Sequence, residues 1–267
     1  MNARFGRFTS WSALVVAACM WTTPAPAQSM TSNVEVTYAA KHPKAPRLIV
    51  RPEHEGKGPI YHAISGKERQ IVLSGRAADE PVLGHSNRVI GYVVAGPPEA
   101  RGMLIGGEWR VPVASLRTGN RSRDEILTQP EWLDAAKHPD IVFRLEKVES
   151  ALLLRDSATA SGYRPVLTGK LTARGVTREL KITECEIMFI AACEQTAAVA
   201  KGDLARLKAS FEVSLTDFGV AEEAFEAAII MPKSIRVDVA LVLSTTPPEE
   251  ESGISPDIRA HSGLPNE

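Results

Sequence analysis

Apolar and polar residues alternate along several long stretches of the chain, which is the period-two pattern of β-strands with one buried face. In residues 207–217 the face formed by Leu207, Phe211 and Val213 is apolar, while Lys208 and Glu212 lie on the other face. Residues 163–173 and 235–243 show the same alternation. These three stretches therefore predict long strands that each cover a core with one side.

Further strands are predicted in six other stretches, "RQIVLSGRA", "RVIGYVVAG", "EWRVPVASL", "DIVFRLEKV", "ALLLRDS" and "RELKITECEI". About eight or nine strands with few helical intervals predict an antiparallel all-β fold. Closure into a barrel of about eight strands would remove the exposed sheet edges, and a barrel of that size is wide enough to hold an apolar ligand. A flat β-sandwich without a cavity is the alternative.

Two short helices are expected between the strands. The first covers residues 121–128, where Asn120 can cap the helix and Asp124 and Glu125 suit its positive first turn. The second covers residues 130–137, since Pro130 is well suited to a first helical position. Both helices lie in one connection, between the strands that end near Leu116 and begin near Asp140.

The ends of the chain differ in composition from the centre. Residues 1–27 have a basic start, an apolar run and the small-residue sequence Ala25 to Ala27, which predicts a secretory signal peptide cleaved after Ala27 and a periplasmic or secreted protein. The alternative is a lipoprotein anchored through Cys19. A flexible arm is expected over residues 28–62, a folded domain over 63–246 and a disordered tail over 247–267.

Cys185 and Cys193 are the cysteines that remain after such cleavage. In an oxidising compartment an even number of cysteines favours a disulfide, so these two could pair. Two separate buried thiols are the alternative.

Composition and motifs exclude several function classes. The formal net charge is −1, so no basic excess favours binding to nucleic acid. No apolar run reaches the ~20 residues of a transmembrane helix. The chain lacks the G-x-S-x-G and H-E-x-x-H motifs, so we expect no catalytic residues, no metal site and no cofactor.

Three sequence blocks come in a recognisable order: "TGNRSRDEILTQPEWLDAAKHPDIVF" from residue 118, "LTGKLTARGVTRELKI" from residue 167 and "FEVSLTDFGV" from residue 211. Together they resemble the YceI-like family of secreted bacterial polyisoprenoid-binding proteins, over roughly residues 68–244. The resemblance implies an extended, lipocalin-like antiparallel barrel whose lumen holds a polyisoprenoid or a quinone-like lipid. It also implies that Ile126, Leu127, Trp132 and Leu133 face the interior.

The alternation and the resemblance together give a predicted lumen. Its lining is expected to comprise Phe143, Leu167, Leu171, Phe211, Val213, Ile235, Val237 and Val239, with Trp132 over one end. Arg123 matches the family's paired Arg-Asp and could contact a polar headgroup, although a structural ion pair or helix-cap contact is the alternative.

We therefore expect a lipid-binding protein for an isoprenoid-like chain, with a carrier, scavenger or stress-related role and with or without formation of a homodimer. An interaction protein with a filled barrel and an unrecognised enzyme are the two alternatives. The volume of the lumen distinguishes the first two, and a pair of titratable groups inside it would favour the third.

Overall fold

The computed structural model describes residues 48–64, 69–77, 80–227 and 231–248. The predicted signal peptide with Cys19, the first part of the predicted arm and most of the predicted tail lie outside these ranges.

Strands dominate the described residues. The strands are β1 Ile60–Ala63, β2 Ile71–Ala77, β3 Glu80–Ser86, β4 Ile90–Val94, β5 Gly106–Pro112, β6 Asp140–Asp156, β7 Ala160–Ala173, β8 Val176–Ile182, β9 Glu184–Ile190, β10 Leu204–Ser214 and β11 Ser234–Ser244. The α-helices are α1 Arg121–Leu127, α2 Glu194–Ala197 and α3 Glu222–Ala227. Single turns of 3-10 helix occur at Pro52–His54, Pro98–Ala100, Val113–Ser115 and Leu215–Phe218.

Eight of the strands form a closed antiparallel ring in the order β1, β4, β5, β6, β7, β9, β10 and β11, because β11 also pairs with β1. β2 continues the sheet from β11 and is followed by β3, while β8 pairs with β7. The predicted fold class, an antiparallel barrel of about eight strands with a few short helices, is confirmed. Closure pairs the strand edges that an open sheet would expose.

The sequence predicts two separate strands in "DIVFRLEKV" and "ALLLRDS", but in the structure a single strand, β6, runs through both and forms a long hairpin with β7. β6 runs unbroken over residues 140–156, and its pairing with β7 shifts register at three points, between Leu145 and Lys147, Val148 and Ser150, and Leu153 and Arg155. A bulge adds one residue and so changes which residues face inward, which interrupts the alternation in the sequence.

The first predicted helix is confirmed as α1, and the side chain of Asn120 accepts a hydrogen bond from the Arg123 amide at 3.1 Å. The second predicted helix, over residues 130–137, is wrong. That segment forms turns, with Asp134 at φ 45°, a left-handed conformation that interrupts a right-handed helix. The Asp134 amide instead donates to the Gln129 carbonyl at 2.9 Å.

Residues 48–62 pack on the barrel and enter it through β1, unlike the free arm expected over residues 28–62. Val50 packs against Tyr92 and Val94 in a small buried cluster. The Tyr92 hydroxyl accepts a hydrogen bond from the Arg51 amide at 3.0 Å and lies 2.8 Å from Nδ1 of His54. Only "LIV" marked this segment as apolar in the sequence, yet it closes the ring through β1.

A buried carboxylate stabilises the outer wall between β5 and β6. Glu108 accepts hydrogen bonds from Arg110 at 2.8 Å and from Arg144 at 2.9 Å. Burial raises the pKa of a carboxyl, but here the hydrogen bonds and charges of the two arginines outweigh it, and the pKa of Glu108 lies below its usual value.

Candidate functional site

A cavity of about 160 Å³ lies inside the barrel, and apolar side chains line it. We call this cavity the lumen. The structure brings together eight of the nine residues that the sequence predicts for the lining: Phe143, Leu167, Leu171, Phe211, Val213, Ile235, Val237 and Val239. Among the residues that the structure describes, none that lines the lumen carries an acidic, basic or thiol group.

The lumen is long and narrow. Its lining extends on β10 from Leu207 to Val213 and on the paired β11 from Leu241 to Ile235. Six residue steps along a strand cover about 20 Å. A volume of about 160 Å³ over that length indicates a channel narrower than one hydrocarbon chain.

Aromatic side chains fill the other half of the barrel. The rings of Tyr61 and Phe189 lie 5.2 Å apart, and those of Tyr163 and Phe189 lie 6.2 Å apart. All three side chains are buried, and none of them lines the lumen. We call the part of the barrel around these three residues the closed half.

The opposite end of the lumen is bounded by connections between strands. Leu116, Leu127 and Leu133 come from the β5–β6 connection, and Leu215 and Phe218 come from the turn after β10. This arrangement confirms the inward orientation expected for Leu127 and Leu133. We call this end the mouth of the lumen.

An arginine joins the segments at the mouth. Arg174 lies in the turn between β7 and β8 and donates hydrogen bonds to the carbonyl of Gly219 and, at 3.0 Å, to the carbonyl of Pro130. Arg174 and Gly175 both have positive φ, as in the two-residue turns that tight hairpins favour. The guanidinium therefore ties the β7–β8 turn to the two connections that border the lumen.

Trp109 contributes the broadest side chain of the lumen wall. Its ring lies against two glycines: a Cβ at Gly91 would come within 2.7 Å of Cδ1, and a Cβ at Gly107 within 2.8 Å of Cη2. The indole Nε1 is buried and has no hydrogen-bond partner among the described residues. Such an unpaired buried donor costs free energy and calls for an explanation.

Trp109 and several other lining residues are not among those predicted from the sequence. Trp109 and Val111 share one face of β5, and Ile71 and Leu73 also line the lumen although they lie on β2, outside the ring. Alternation in "EWRVP" could have identified the first pair. The second pair depends on β2 extending the wall, which the sequence alone does not show.

Three residues that the sequence predicts near the lumen lie outside its lining. Trp132 is buried, but it packs edge-to-face on Phe225 with ring centroids 5.1 Å apart and does not line the cavity. Ile126 is half-buried and packs on the core. Arg123 lies in α1 and is likewise absent from the lining, so its contact with a headgroup stays a prediction.

The two cysteines are separate, so the predicted disulfide between Cys185 and Cys193 is wrong. Residues 185–190 belong to β9, whose extended chain places Ile190 about 17 Å from Cys185, and Cys193 follows after the end of that strand. A disulfide needs Cα atoms within about 7 Å. Burial, followed by the charge of Glu186, raises the pKa of Cys185 to about 12, whereas hydrogen bonds from Thr196 lower the pKa of the exposed Cys193.

Within the described ranges, no group of three or more His, Cys, Asp or Glu residues could hold a metal ion. In the same ranges no helix has the length and apolar character needed to cross a bilayer.

Solved structures similar to this chain have low sequence identity. BcnA of Burkholderia cenocepacia is 15% identical, with a TM-score of 0.46, and the match covers 64% of this chain and 94% of that one. The Campylobacter jejuni YceI protein is 18% identical, with a TM-score of 0.44 and coverages of 62% and 85%. A polyisoprenoid-binding domain from Saccharophagus degradans is 10% identical, with a TM-score of 0.48 and coverages of 70% and 98%.

The sequence comparisons give the family. No curated protein matches the chain. The sequence profile of the YceI-like domain matches residues 65–245, which is more than half of the chain and includes every strand from β2 to β11. The chain belongs to the YceI-like domain family.

Proposed function

We propose that this protein binds the hydrocarbon chain of an isoprenoid or a similar long-chain lipid in the lumen, as a periplasmic or secreted carrier or scavenger. The observation that carries the proposal is the long cavity lined by apolar side chains. The signal-peptide pattern of residues 1–27 supports export. A binding role rather than catalysis is supported by the lining, which offers no acid, base or nucleophile.

The size of the lumen sets how a long chain would bind. A cavity of about 150 Å³ accepts one benzene molecule, so a volume of about 160 Å³ is too small for a long isoprenoid without movement of side chains. Phe143 and Phe211 line the lumen and are only half-buried, so rotation of their rings would widen it. We therefore propose that the lumen widens as the chain enters.

Apolar burial is sufficient for useful affinity. Each buried methylene contributes about 0.8 kcal/mol, so about twenty buried carbons would give a gross ~16 kcal/mol, which exceeds the ~4–15 kcal/mol cost of association. A headgroup contact is therefore not required for binding.

The unpaired indole N–H of Trp109 could donate a hydrogen bond to a polar group of the ligand. Its Nε1 donor would be satisfied by one oxygen of an isoprenoid alcohol or a quinone-like ring. We propose that an oxygenated isoprenoid binds more tightly than its hydrocarbon analogue. Trp109→Phe should remove this preference, measured as the affinity ratio of farnesol to farnesane.

Titration with a dansyl-labelled isoprenoid alcohol tests the proposed site. Val239→Asp places a charge on the lumen wall, whereas Ala240→Asp changes the next residue of β11, whose side chain is exposed and pairs with Lys208 on β10. We expect Val239→Asp to weaken binding at least about tenfold, because an unpaired charge in an apolar cavity is strongly disfavoured. Ala240→Asp should bind like the wild type.

A second variant separates loss of binding from loss of folding. Val239→Phe keeps the lumen apolar but occupies part of its volume, so it should also weaken binding while the protein remains folded by circular dichroism. Wild-type affinity in both Val239 variants would contradict the proposed site.

A further inference from the structure

The end of the β6–β7 hairpin exposes three consecutive leucines. Leu152, Leu153 and Leu154 are 61%, 51% and 45% exposed. Successive residues of a strand point to opposite faces, so the hairpin is apolar on both sides at this end. A strand that covers a protein core needs apolar residues on one face only. The three leucines are therefore not explained by packing within the barrel.

This part of β6 also lies at an edge. β5 pairs with β6 only over residues 140–145, so beyond Leu145 the sole neighbour of β6 among the described strands is β7. The register shifts along this segment deform the edge, which disfavours addition of a strand from another protein. A second copy of this chain is therefore not expected to bind here by adding a strand to this edge.

A polar cavity adjoins the leucines. It has a volume of about 450 Å³ and lies between the hairpin and the connection from Pro98 to Met103. Leu153 and Met103 border it, and Met103 is 39% exposed. Arg101 brings a guanidinium, and the hydroxyl of Ser161 is buried there without a hydrogen-bond partner in the described part of the chain.

Acidic and basic side chains both line the polar cavity. Glu99, Asp156 and Asp203 line the cavity with Arg101, and Arg155 is exposed next to Asp156. Asp203 already accepts a hydrogen bond from the Ala192 amide at 2.8 Å. A mixture of one or two cations with carboxylates suits a ligand that itself carries both charges, and the bordering leucines suit the apolar part of an amphiphile.

We propose that the hairpin end docks on a membrane surface of zwitterionic phospholipid, with the leucines in the acyl boundary and a headgroup in the cavity. A headgroup phosphate would face Arg101 and Ser161, and its ammonium would face Glu99 and Asp156. The leucines lie on both faces of the hairpin. The acyl layer of a membrane would cover both faces of an inserted hairpin, whereas a flat protein surface would cover only one, so a membrane fits the leucines better. The proposal is independent of what the lumen binds, because this surface adjoins the closed half.

Flotation with vesicles of phosphatidylethanolamine and phosphatidylcholine tests the proposal. All proteins carry Cys19→Ser, so that an acyl chain on residue 19 cannot contribute. Leu153→Asp is compared with Leu83→Asp, a matched control because Leu83 is 60% exposed on β3. We expect Leu153→Asp to lower the bound fraction about tenfold, since a charge replaces an inserted apolar side chain, and Leu83→Asp to leave it unchanged.

Two further measurements sharpen the result. Arg101→Gln should weaken flotation severalfold, and binding of the wild type should change little between low and high salt, because no net charge drives it. Circular dichroism checks that each variant is folded.

Three outcomes would overturn the proposal. The first is no flotation of the wild type, and the second is equal flotation of Leu153→Asp and the wild type. The third is self-association by analytical ultracentrifugation that Leu153→Asp abolishes while flotation stays unchanged, which would assign the hairpin to a second copy of this chain.

Discussion

The closed half and the lumen are built from the same strands, yet one is filled and the other is open. On β10 the inward residue Ala205 is fully buried beside Phe189, its partner in register, whereas Val213 farther along the same strand is half-buried and lines the cavity. Three aromatic rings that meet at Phe189 account for the difference. An alternating pattern therefore specifies an apolar interior, while side-chain size decides whether that interior is a core or a channel.

The largest expected effect comes from removing the central ring of the closed half. Phe189→Ala should lower the free energy of unfolding by about 3–5 kcal/mol, because a fully buried phenylalanine would leave a cavity between two tyrosines. Urea denaturation measures the change. A cost below about 1 kcal/mol would mean that the closed half is not the core of the barrel.

The same substitution in the lumen should have a smaller cost. Phe211→Ala is expected to lower the free energy of unfolding by about 1–2 kcal/mol, because Phe211 is half-buried and already borders empty space. It should also tighten binding of a branched isoprenoid by widening the channel. Equal costs for Phe211→Ala and Phe189→Ala would remove the distinction between the two halves.

Substitution of Arg174 tests whether the mouth of the lumen controls how fast the ligand is released. Arg174→Gly removes the hydrogen bonds to Gly219 and Pro130 at a cost of about 1 kcal/mol, partly offset because glycine adopts the positive φ of this position without strain. Release of a fluorescent isoprenoid, followed by stopped flow, should become severalfold faster. Arg164→Gln, on the surface near the closed half, is the control, and unchanged release in Arg174→Gly would contradict a role for the mouth.

The smallest effect is expected for Glu108 in the outer wall between β5 and β6. It concerns how the free energy of unfolding changes with pH. The pKa of Glu108 is lowered in the folded protein, so its contribution to stability is present above the pKa of an unfolded glutamate and is lost as the pH falls through the folded value. Glu108→Gln should therefore lose less stability than the wild type between pH 7 and pH 3, as measured by urea denaturation. An identical loss would show that the two arginines do not stabilise the carboxylate.

The sequence predicts the fold and part of the lumen lining because each inward face is a local property of a strand. Phe143, Phe211 and Val239 could be identified from alternation and from the family resemblance, and all three line the cavity. The helix α1 could be identified from its cap at Asn120. These predictions depend on residues close to one another in the chain.

Other features depend on contacts between distant segments. The hydrogen bonds of Asp134 and the left-handed turn there replace the expected second helix, and the position of Trp132 depends on Phe225, which is far away in sequence. The separation of Cys185 from Cys193 follows from the length of β9, since an even number of cysteines says nothing about distance. The closed half itself depends on rings from β1, β7 and β9.

The most direct test of the central claim is to identify the lipid that co-purifies with the exported protein. Wild-type protein and Val239→Phe are purified from the native host without detergent, and organic extracts of both are compared by mass spectrometry. We expect a long-chain isoprenoid or quinone-like lipid at a substantial molar ratio in the wild type and much less of it in Val239→Phe. Equal amounts in both proteins, or no lipid in the wild type, would contradict binding in the lumen.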